Sequence, residues 1–290
     1  TFSHIDGYAC ILTTDGKLWA SDLNSVTAWT ANSYGTMNSY PDRGVCSIRH
    51  RNFIMCFGTE SVEFFYNAGL TPFPLARNAS MTQKVGCVNS EAITQIADTT
   101  FWCGSSPQGG LSVFQYDAGI SRISTPEVDQ ILILAGASNI TMTSIRFYGR
   151  SFVIVKASST TLVYCVEEKQ WSEWSSSAAP WYKVVGISLG GTMVNYSISK
   201  ILTDGIVYTM TPSNVTFQDA GVGYPVTMQL DSTDLGTGNR KAWESLRIIG
   251  DISDTSSPIE ISYSDDDYNT ITIWGTLDLA DNMPVARRLG

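Results

Sequence analysis

Residues 53–66 read FIMCFGTESVEFFY, two short apolar runs separated by a polar turn that contains a glycine. Runs of this length, rich in aromatic and large apolar residues, predict two strands joined as a hairpin. Similar units return every 41–51 residues and begin at Tyr8, Phe53, Phe101, Phe152 and Met193. A repeat of this length filled by strands is typical of β-propellers, whose four-stranded blades take roughly 40–50 residues. The sequence therefore predicts an all-β fold, a β-propeller.

The first unit carries the clearest turn. Its apolar runs at 8–12 and 17–21 flank Thr14-Asp15-Gly16, and Asp-Gly between two such runs is a strong hairpin signal. Residues 30–44, rich in Asn, Ser, Tyr and Gly, indicate a loop. Farther along, Thr125 precedes Pro126, a cap residue before a proline at a first helical position, and this pair predicts one short helix.

The later units repeat the pattern of the second. We expect strand pairing between 101–103 and 113–116, between 152–155 and 161–166, and within 182–210 around a turn at Asp204-Gly205. From residue 222 the sequence changes to cleanly alternating runs, which predict either the last blade or a small sandwich. We therefore divide the chain into propeller blades over 1–221 and a C-terminal antiparallel β segment over 222–290.

Composition narrows the possible functions. The chain has 18 Lys and Arg against 27 Asp and Glu, a net charge of −9, so it repels phosphate backbones and is a poor candidate for a dedicated nucleic-acid-binding protein. Its six cysteines lie mostly in apolar runs without C-x-x-C spacing, which predicts buried thiols in a reducing compartment. The longest apolar stretch, residues 131–135, is too short to cross a bilayer, so we expect no membrane partner.

Two strings resemble sites of chemistry, but neither predicts a catalytic, cofactor or metal site. Gly186-Ile-Ser-Leu-Gly190 matches the serine-hydrolase elbow, yet the residues after it are β-like and no histidine follows position 50. The acidic run 264–269 could hold a hard cation only if a turn brought its carboxylates together, and a polar hairpin turn explains it better. We predict that the protein is not an enzyme and uses no cofactor.

Contact with partners is the remaining candidate for function. Aromatic residues in predicted loops could anchor a partner, although exposed aromatics often pack locally. Arg49, His50 and Arg51 form a basic cluster ahead of a strand, which we interpret as a solvated turn with partner or anion contact as the alternative. The aromatic candidates are Trp29, Tyr34, Tyr40, Trp181 and Tyr224.

Several strings, in order along the chain, resemble the packaged-DNA stabilisation family of tailed bacteriophages, also called tail accessory or head-completion hub proteins. The resemblance covers most of the chain and is densest over 19–130. The strings that carry it are Trp19-Ala-Ser-Asp22-Leu-Asn24, Tyr40-Pro-Asp42, Arg51-Asn-Phe-Ile-Met-Cys-Phe57-Gly58 leading to Glu63-Phe64, Met81-Thr-Gln83-Lys84-Val-Gly86-Cys, Ser264-Asp265-Asp266 and Arg287-Arg288-Leu289-Gly290.

The resemblance implies a β-propeller subunit of the virion, found in the phage tail or neck and assembled in the host cytoplasm. It implies a homo-oligomeric ring, with a hexamer favoured, that lies below the portal and extends the DNA channel. The ring helps to retain the packaged genome, lets DNA pass without specific recognition, and contacts portal or adaptor proteins and other tail proteins. Family members are commonly longer at the N-terminus, so blade strands are expected before Thr1. The family supplies no catalytic residues.

Two other functions remain open at this stage. A carbohydrate-binding or glycan-hydrolysing propeller is the main alternative, because such rings often present acids and aromatics at one mouth of the channel. A propeller scaffold for cellular complexes is weaker, because no Trp-Asp signature recurs in the blades. Fold alone does not decide among these functions.

Overall fold

A computed structural model describes residues 1–174 except 41, 97, 106–108 and 148, and residues 256–281 except 265, 267 and 268. Between these ranges it describes the backbone of five short strands, and at position 147 it likewise describes only the backbone. The chain forms two compact units, Thr1–Tyr224 and Pro225–Gly290.

The first unit begins with four consecutive four-stranded antiparallel sheets, each an up-and-down meander. The first sheet comprises β1 (Phe2–Ile5), β2 (Tyr8–Leu12), β3 (Lys17–Ala20) and β4 (Tyr34–Thr36); the second, β5 (Gly44–His50), β6 (Phe53–Gly58), β7 (Val62–Asn67) and β8 (Leu75–Arg77). The third comprises β9 (Ile93–Ile96), β10 (Thr99–Ser105), β11 (Leu111–Tyr116) and β12 (Ile120–Arg122); the fourth, β13 (Ile140–Phe147), β14 (Arg150–Ala157), β15 (Thr160–Cys165) and β16 (Gln170–Glu173). Sequential four-stranded meanders are the architecture of propeller blades.

Shorter sheets follow. A fifth sheet contains β17 (Trp181–Leu189), β18 (Thr192–Ser199) and β19 (Tyr208–Thr209), and a two-stranded ladder joins β20 (Gln218–Asp219) to β21 (Val222–Gly223). The second unit contains one described hairpin, β22 (Pro258–Tyr263) and β23 (Thr272–Asp278). Most of 222–290 lies outside the described residues, so its assignment to a final blade or a sandwich stays a prediction.

The predicted hairpins of the first four units are confirmed. Strand β6 pairs with β7, and in the third sheet Trp102 lies opposite Phe114. In the fourth sheet, β14 pairs with β15. The turn at Asp204-Gly205 lies outside the described residues. One prediction is wrong in detail: residues 30–44 are not all loop, because Tyr34–Thr36 form β4 against β3.

The short helix is also confirmed, as α1 (Pro126–Ala135). Thr125 is its N-cap, and the Thr125 hydroxyl accepts a hydrogen bond from the Val128 amide at 3.4 Å. Gly136 ends the helix at φ +78°, in a region where glycine has no steric penalty. Val128 and Leu132 are buried against the sheets, so packing adds to propensity in fixing this helix. No helix in the described part of the chain has both the length and the apolar character needed to span a membrane.

The core lies between the sheets. Successive residues of a strand point to opposite faces, so the neighbours Phe101 and Trp102 pack in two different junctions. The centroid of the Trp102 ring lies 5.0 Å from that of Phe57 in the second sheet. The centroid of the Phe101 ring lies 6.4 Å from that of Tyr164 in the fourth sheet. Each fully buried large side chain contributes roughly 1.5–3 kcal/mol. The third sheet is therefore held from both sides.

The first strands of the first and second sheets lie side by side, as do those of the third and fourth sheets, and hydroxyl groups join each pair. Ser3 of β1 is hydrogen-bonded to Ser47 of β5 at 3.2 Å. In the same way, the Thr94 hydroxyl of β9 donates to the Ser144 hydroxyl of β13 at 2.9 Å. These bonds satisfy polar groups where two sheets meet, and they fix the order in which the sheets are stacked.

Glycine permits the closest approach between the second and third sheets. A Cβ at Gly86 would lie 2.1 Å from the Thr59 carbonyl oxygen, and a Cβ at Gly104 would lie 2.1 Å from the Gly86 carbonyl oxygen. Real Cβ atoms do not approach backbone atoms so closely. The backbones of the turn after β6, the linker after β8 and strand β10 are therefore layered without side chains between them.

All six cysteines are buried and unpaired, as predicted. Burial raises the pKa of the Cys10 thiol to about 12 and also raises the pKa of the Cys56 thiol. The thiolate is the reactive form of cysteine, so these groups are protected by both burial and protonation.

We predict that Gly86→Ala destabilises the protein by about 1–3 kcal/mol, because the new methyl group has no space against the Thr59 backbone. The matched control is Gly119→Ala, since Gly119 has no atom within 4 Å of the position of the added methyl group. Its effect should stay within about 0.5 kcal/mol. Urea unfolding of both variants measures the difference, and equal stabilities would contradict the layered packing.

We predict that a disulfide reagent such as Ellman's reagent releases almost no colour from the native protein at pH 8. In denaturing guanidinium chloride, all six thiols should react. Rapid reaction of even one thiol in the native protein would show that a junction between sheets is open.

Candidate partner-contact surfaces

The sheets present their connections on two opposite faces. In a four-stranded meander, the connections within a sheet alternate between its ends, and the segment to the next sheet leaves from the end that holds the middle turn. Gly44, just after the segment 37–43, lies against Thr13 and Gly16 of the middle turn of the first sheet. We call the surface formed by the inter-sheet segments 37–43, 78–92 and 123–139 the linker face. The opposite surface, formed by the first and third turns of each sheet, is the hairpin face.

Polar contacts between neighbouring sheets hold the hairpin face. The Asn67 amide group donates to the Asp6 carboxylate at 3.2 Å, which joins the first two sheets. The Arg51 guanidinium pairs with the Asp117 carboxylate at 2.6 Å, which joins the second and third sheets. Both members of this ion pair are about half exposed, so its contribution to stability is small, on the order of 0–1 kcal/mol. The ion pair nevertheless positions the β5–β6 turn against the β11–β12 turn.

The basic cluster is divided between surface and core. Arg51 is an exposed turn residue at φ +52°, and the Arg49 side chain donates to the Arg51 carbonyl oxygen at 3.0 Å. His50 is different: it ends β5 and is only 1% exposed. The interpretation of a solvated basic turn is therefore wrong for His50, whose partner Thr100 is 50 residues away in sequence. A binding partner cannot reach its side chain.

Trp29 lies on the hairpin face, in the long loop between β3 and β4. Its indole N–H donates to the Val26 carbonyl oxygen at 3.1 Å, and the side chain is half-buried. Two aliphatic neighbours in this loop face solvent, Leu23 at 58% and Val26 at 70% exposure. The Asn24 amide donates to the Gly7 carbonyl oxygen at 2.8 Å, which holds the loop to the first turn of the sheet. Exposed apolar side chains on a held loop can serve as anchors for a partner.

Tyr34 belongs to the first sheet rather than to a loop. Its ring lies 4.7 Å from the Trp19 ring, and the Lys17 ammonium lies 5.3 Å from its centroid. The register places Phe2, Ile11, Trp19 and Tyr34 in one row across all four strands. Tyr34 is thus a packed member of a strand row and only partly accessible.

Tyr40 lies on the linker face, in the segment between the first two sheets. The Lys84 ammonium lies 5.9 Å from its ring centroid. The segment is anchored by Asp42, whose carboxylate accepts hydrogen bonds from the Ser61 amide at 2.9 Å and the Ser61 hydroxyl at 3.1 Å. Gly58 leaves room for this carboxylate, since a Cβ there would lie 2.1 Å from it. Tyr40 therefore lies two residues before an anchored position of this segment.

The sequence did not single out the most exposed apolar residue of the described chain, which also lies on the linker face. Leu134 near the end of α1 is 87% exposed, and its neighbour Ile133 is also exposed. The run 131–135 is apolar at every position, so its periodicity gave no indication of which side chains the fold leaves in water. The exposed acid Glu127 lies seven residues earlier, on the same side of the helix.

The remaining candidates lie at or beyond the edge of the described residues. Trp181 is the first residue of β17, where only the backbone is described, and Tyr224 lies outside the described residues. Of the three described candidates, Trp29 lies in the β3–β4 loop, Tyr34 in β4 and Tyr40 on the linker face, and no ring contact joins any two of them.

The hydrolase-like string 186–190 and the acidic run 264–269 have structural roles at their described residues. Strand β17 pairs with β18, with Leu189 opposite Thr192, so the hydrolase-like string enters an antiparallel ladder rather than a strand-to-helix elbow. The acidic run joins β22 to β23 as the predicted polar turn, in which the Asp266 carboxylate accepts from the Thr270 hydroxyl and amide. These hydrogen bonds lower the pKa of Asp266. Within the described ranges, no three His, Cys, Asp or Glu side chains are grouped to hold a metal ion.

Comparison with known proteins identifies a family for most of the chain. Residues 2–195 match the family model of phage stabilisation proteins described as Bacteriophage P22 Gp10, β-propeller. The match includes the four complete meanders and most of the fifth sheet, and it confirms the predicted propeller class. No curated protein matches the chain.

Among solved structures, the chain is similar to the extracellular domain of a proposed one-component system from B. thetaiotaomicron, at 10% identity and a TM-score of 0.39. That alignment covers 75% of this chain and 28% of the other chain, so this chain spans less than a third of the length of that protein.

We predict that Asp42→Ala destabilises the protein by about 1–3 kcal/mol, because it leaves the buried Ser61 amide without its acceptor. Asp42→Asn keeps one acceptor oxygen and should lose less. Thermal unfolding of the two variants tests this order, and equal losses would show that the carboxylate does not anchor the segment that carries Tyr40.

Proposed function

This chain belongs to the phage stabilisation family, and from that premise we propose that it is a subunit of a ring below the portal of a tailed phage. Membership makes it a phage structural protein of β-propeller class. We propose further that the ring extends the DNA channel, helps to retain the packaged genome and provides attachment for tail components. The family match over residues 2–195 is the observation that carries this proposal.

The packing of the sheets supports a mechanical role. Large aromatic side chains fill the junctions on both faces of the third sheet, and backbone layers meet through glycine at the linker face. Such junctions resist deformation because closely packed interiors have low compressibility. A subunit of a channel that holds pressurised DNA needs this resistance, whereas it needs no reactive group. We accordingly propose a non-enzymatic role at the phage neck.

The charge of the chain supports passage of DNA without recognition. A net charge of −9 disfavours lasting contact with phosphate groups, and the effect is screened beyond roughly 8–10 Å at ordinary salt. A channel wall that repels DNA weakly allows it to slide. Sequence-specific readout would instead require cationic and polar side chains aimed at the bases.

The two faces supply surfaces for different neighbours in such an assembly. On the linker face, Leu134 and Tyr40 stand on segments held by the sheets. On the hairpin face, the β3–β4 loop carries Trp29 and the exposed Leu23 and Val26, and Arg51 is exposed in its turn. We propose that the linker face contacts the portal or an adaptor protein and that the hairpin face contacts further tail proteins. The carbohydrate-related alternative is not favoured by the family match.

We predict that Leu134→Asp weakens binding to the portal complex by at least about tenfold, because a charged group then replaces an apolar anchor. Leu23→Asp is the matched control, an equal substitution at an exposed leucine on the hairpin face. It should leave portal binding unchanged.

The measurement mixes each purified protein with the portal complex of its phage and quantifies binding by biolayer interferometry. Negative-stain microscopy of the same mixture shows whether a ring forms. A wild-type protein that stays a lone monomer beside the portal would contradict the proposed function. Weakening by Leu23→Asp instead of Leu134→Asp would reverse the assignment of the faces.

A further inference from the structure

The chain has only two histidines, and one of them is sealed between two sheets. His50 at the end of β5 is 1% exposed, and its Nδ1 lies 3.0 Å from the Thr100 hydroxyl of β10. Its ring meets the Tyr116 ring edge-on at 4.9 Å. Thr100 and Tyr116 belong to the third sheet, so a single imidazole forms part of the junction between the second and third sheets.

The second ring nitrogen lacks a hydrogen bond of good geometry. Nε2 of His50 is buried and has no such bond among the described groups, although the Asp117 carbonyl oxygen is near enough to favour the protonated ring. A neutral imidazole tolerates this arrangement, because one nitrogen then carries no proton and the cost of burial is modest. An imidazolium has two N–H donors and a positive charge. The closed junction would then have to bury the additional donor and the charge away from water.

Charged groups around His50 come from three elements. Arg51 follows it in the same turn, Asp117 follows Tyr116 at the end of β11, and Asp98 precedes β10. Burial is the largest effect and the Arg51 charge the next, and both lower the pKa of His50. The Asp117 carbonyl oxygen and the Asp117 and Asp98 carboxylates act in the opposite direction but do not overcome them. Burial raises the pKa of Tyr116, so its phenol stays uncharged in the acid range.

We propose that His50 makes the junction between the second and third sheets an acid-sensitive joint, which loosens when the imidazole gains its second ring proton. The proton arrives at Nε2 or Nδ1 from solvent during local opening and creates a cation beside Arg51. The opened state hydrates that cation, whereas the closed state does not. The closed state is therefore disfavoured in acid. This inference does not depend on the proposed role in the virion.

The direction of the pH dependence follows from proton linkage. A histidine whose folded pKa lies below its unfolded value of 6.5 binds more protons when the junction is open. The stabilisation from the neutral ring is fully present above pH 6.5 and is lost as the pH falls through the folded pKa. For one proton, the equilibrium constant for opening rises by up to about tenfold per pH unit in this interval. The joint is closed at neutral pH.

Hydrogen exchange with mass spectrometry tests this between pH 7.5 and 4.5, with rates corrected to protection factors. Peptides over residues 48–54 and 99–102 should lose protection below pH 6.5 by up to about tenfold per unit. Peptides over 152–155 in β14 should serve as an internal reference that does not change. His50→Asn keeps an acceptor for the Thr100 hydroxyl without titrating, and it should abolish the loss. His4→Gln, at the exposed histidine, should behave as the wild type.

An NMR titration that follows the ring C–H signals of His4 and His50 in the wild-type protein gives a second result that needs no variant. The His50 signal should titrate below pH 6.5. Titration at or above 6.5 would overturn the proposal. So would junction protection that is independent of pH, or a loss of protection that persists in His50→Asn, which would assign the acid sensitivity to the carboxylates. If His50→Asn does not fold, the wild-type titration and the His4→Gln comparison decide.

Discussion

The packing of each sheet face against the next sheet is the constraint on which the rest of the structure depends. A β-strand sends successive side chains to opposite faces, so a sheet stacked on both sides needs apolar residues at nearly every position of its central strands. Phe101 and Trp102 meet this requirement in the third sheet, where one ring reaches the fourth sheet and the other the second. Gly86 and Gly104 then allow the backbones to close over that core. Long apolar runs in strands and glycines in the connections are two consequences of one geometry.

The same constraint leaves the linker face and the hairpin face as the surfaces available for contact with partners. Since the faces of the inner sheets are occupied by their neighbours, solvent-exposed side chains gather in the turns and in the inter-sheet segments. Asp42 holds one such segment through the Ser61 backbone, and Asn89 holds the next by donating to the Ala137 carbonyl oxygen at 2.6 Å. Anchoring of a segment in this way lowers the entropy cost of ordering it in an interface. This arrangement suits a protein whose role is assembly, and the family of phage structural proteins to which the chain belongs agrees with it.

Local features were predictable from the sequence, and features that depend on distant residues were not. The 53–66 hairpin and the Thr125-Pro126 helix start are encoded by adjacent residues, and both were correct. Strand β4 was missed because three residues with little apolar character become a strand only by pairing with β3. The burial of His50 was missed because two arginines flank it and Thr100 is far away in sequence. The exposure of Leu134 is set by which side of α1 the sheets cover, and a uniformly apolar run does not reveal that.

The central claim is that consecutive sheets stack face to face, the first two with their first strands side by side, and a disulfide cross-link tests it most directly. The Ser3 and Ser47 hydroxyl oxygens lie 3.2 Å apart, so cysteine sulfurs at both positions would lie close together and need a shift of only about 1 Å to reach the S–S bond length. The account predicts that Ser3→Cys with Ser47→Cys forms an intramolecular disulfide under mild oxidation, seen by intact-mass and peptide analysis. Ser3→Cys with Ser144→Cys, on first strands of sheets that are not consecutive, should form no disulfide between positions 3 and 144. Both pairs are made with Cys10→Ser, because Cys10 lies opposite position 3 in the register of β1 and β2. A disulfide in the second pair but not in the first would contradict the order of the sheets.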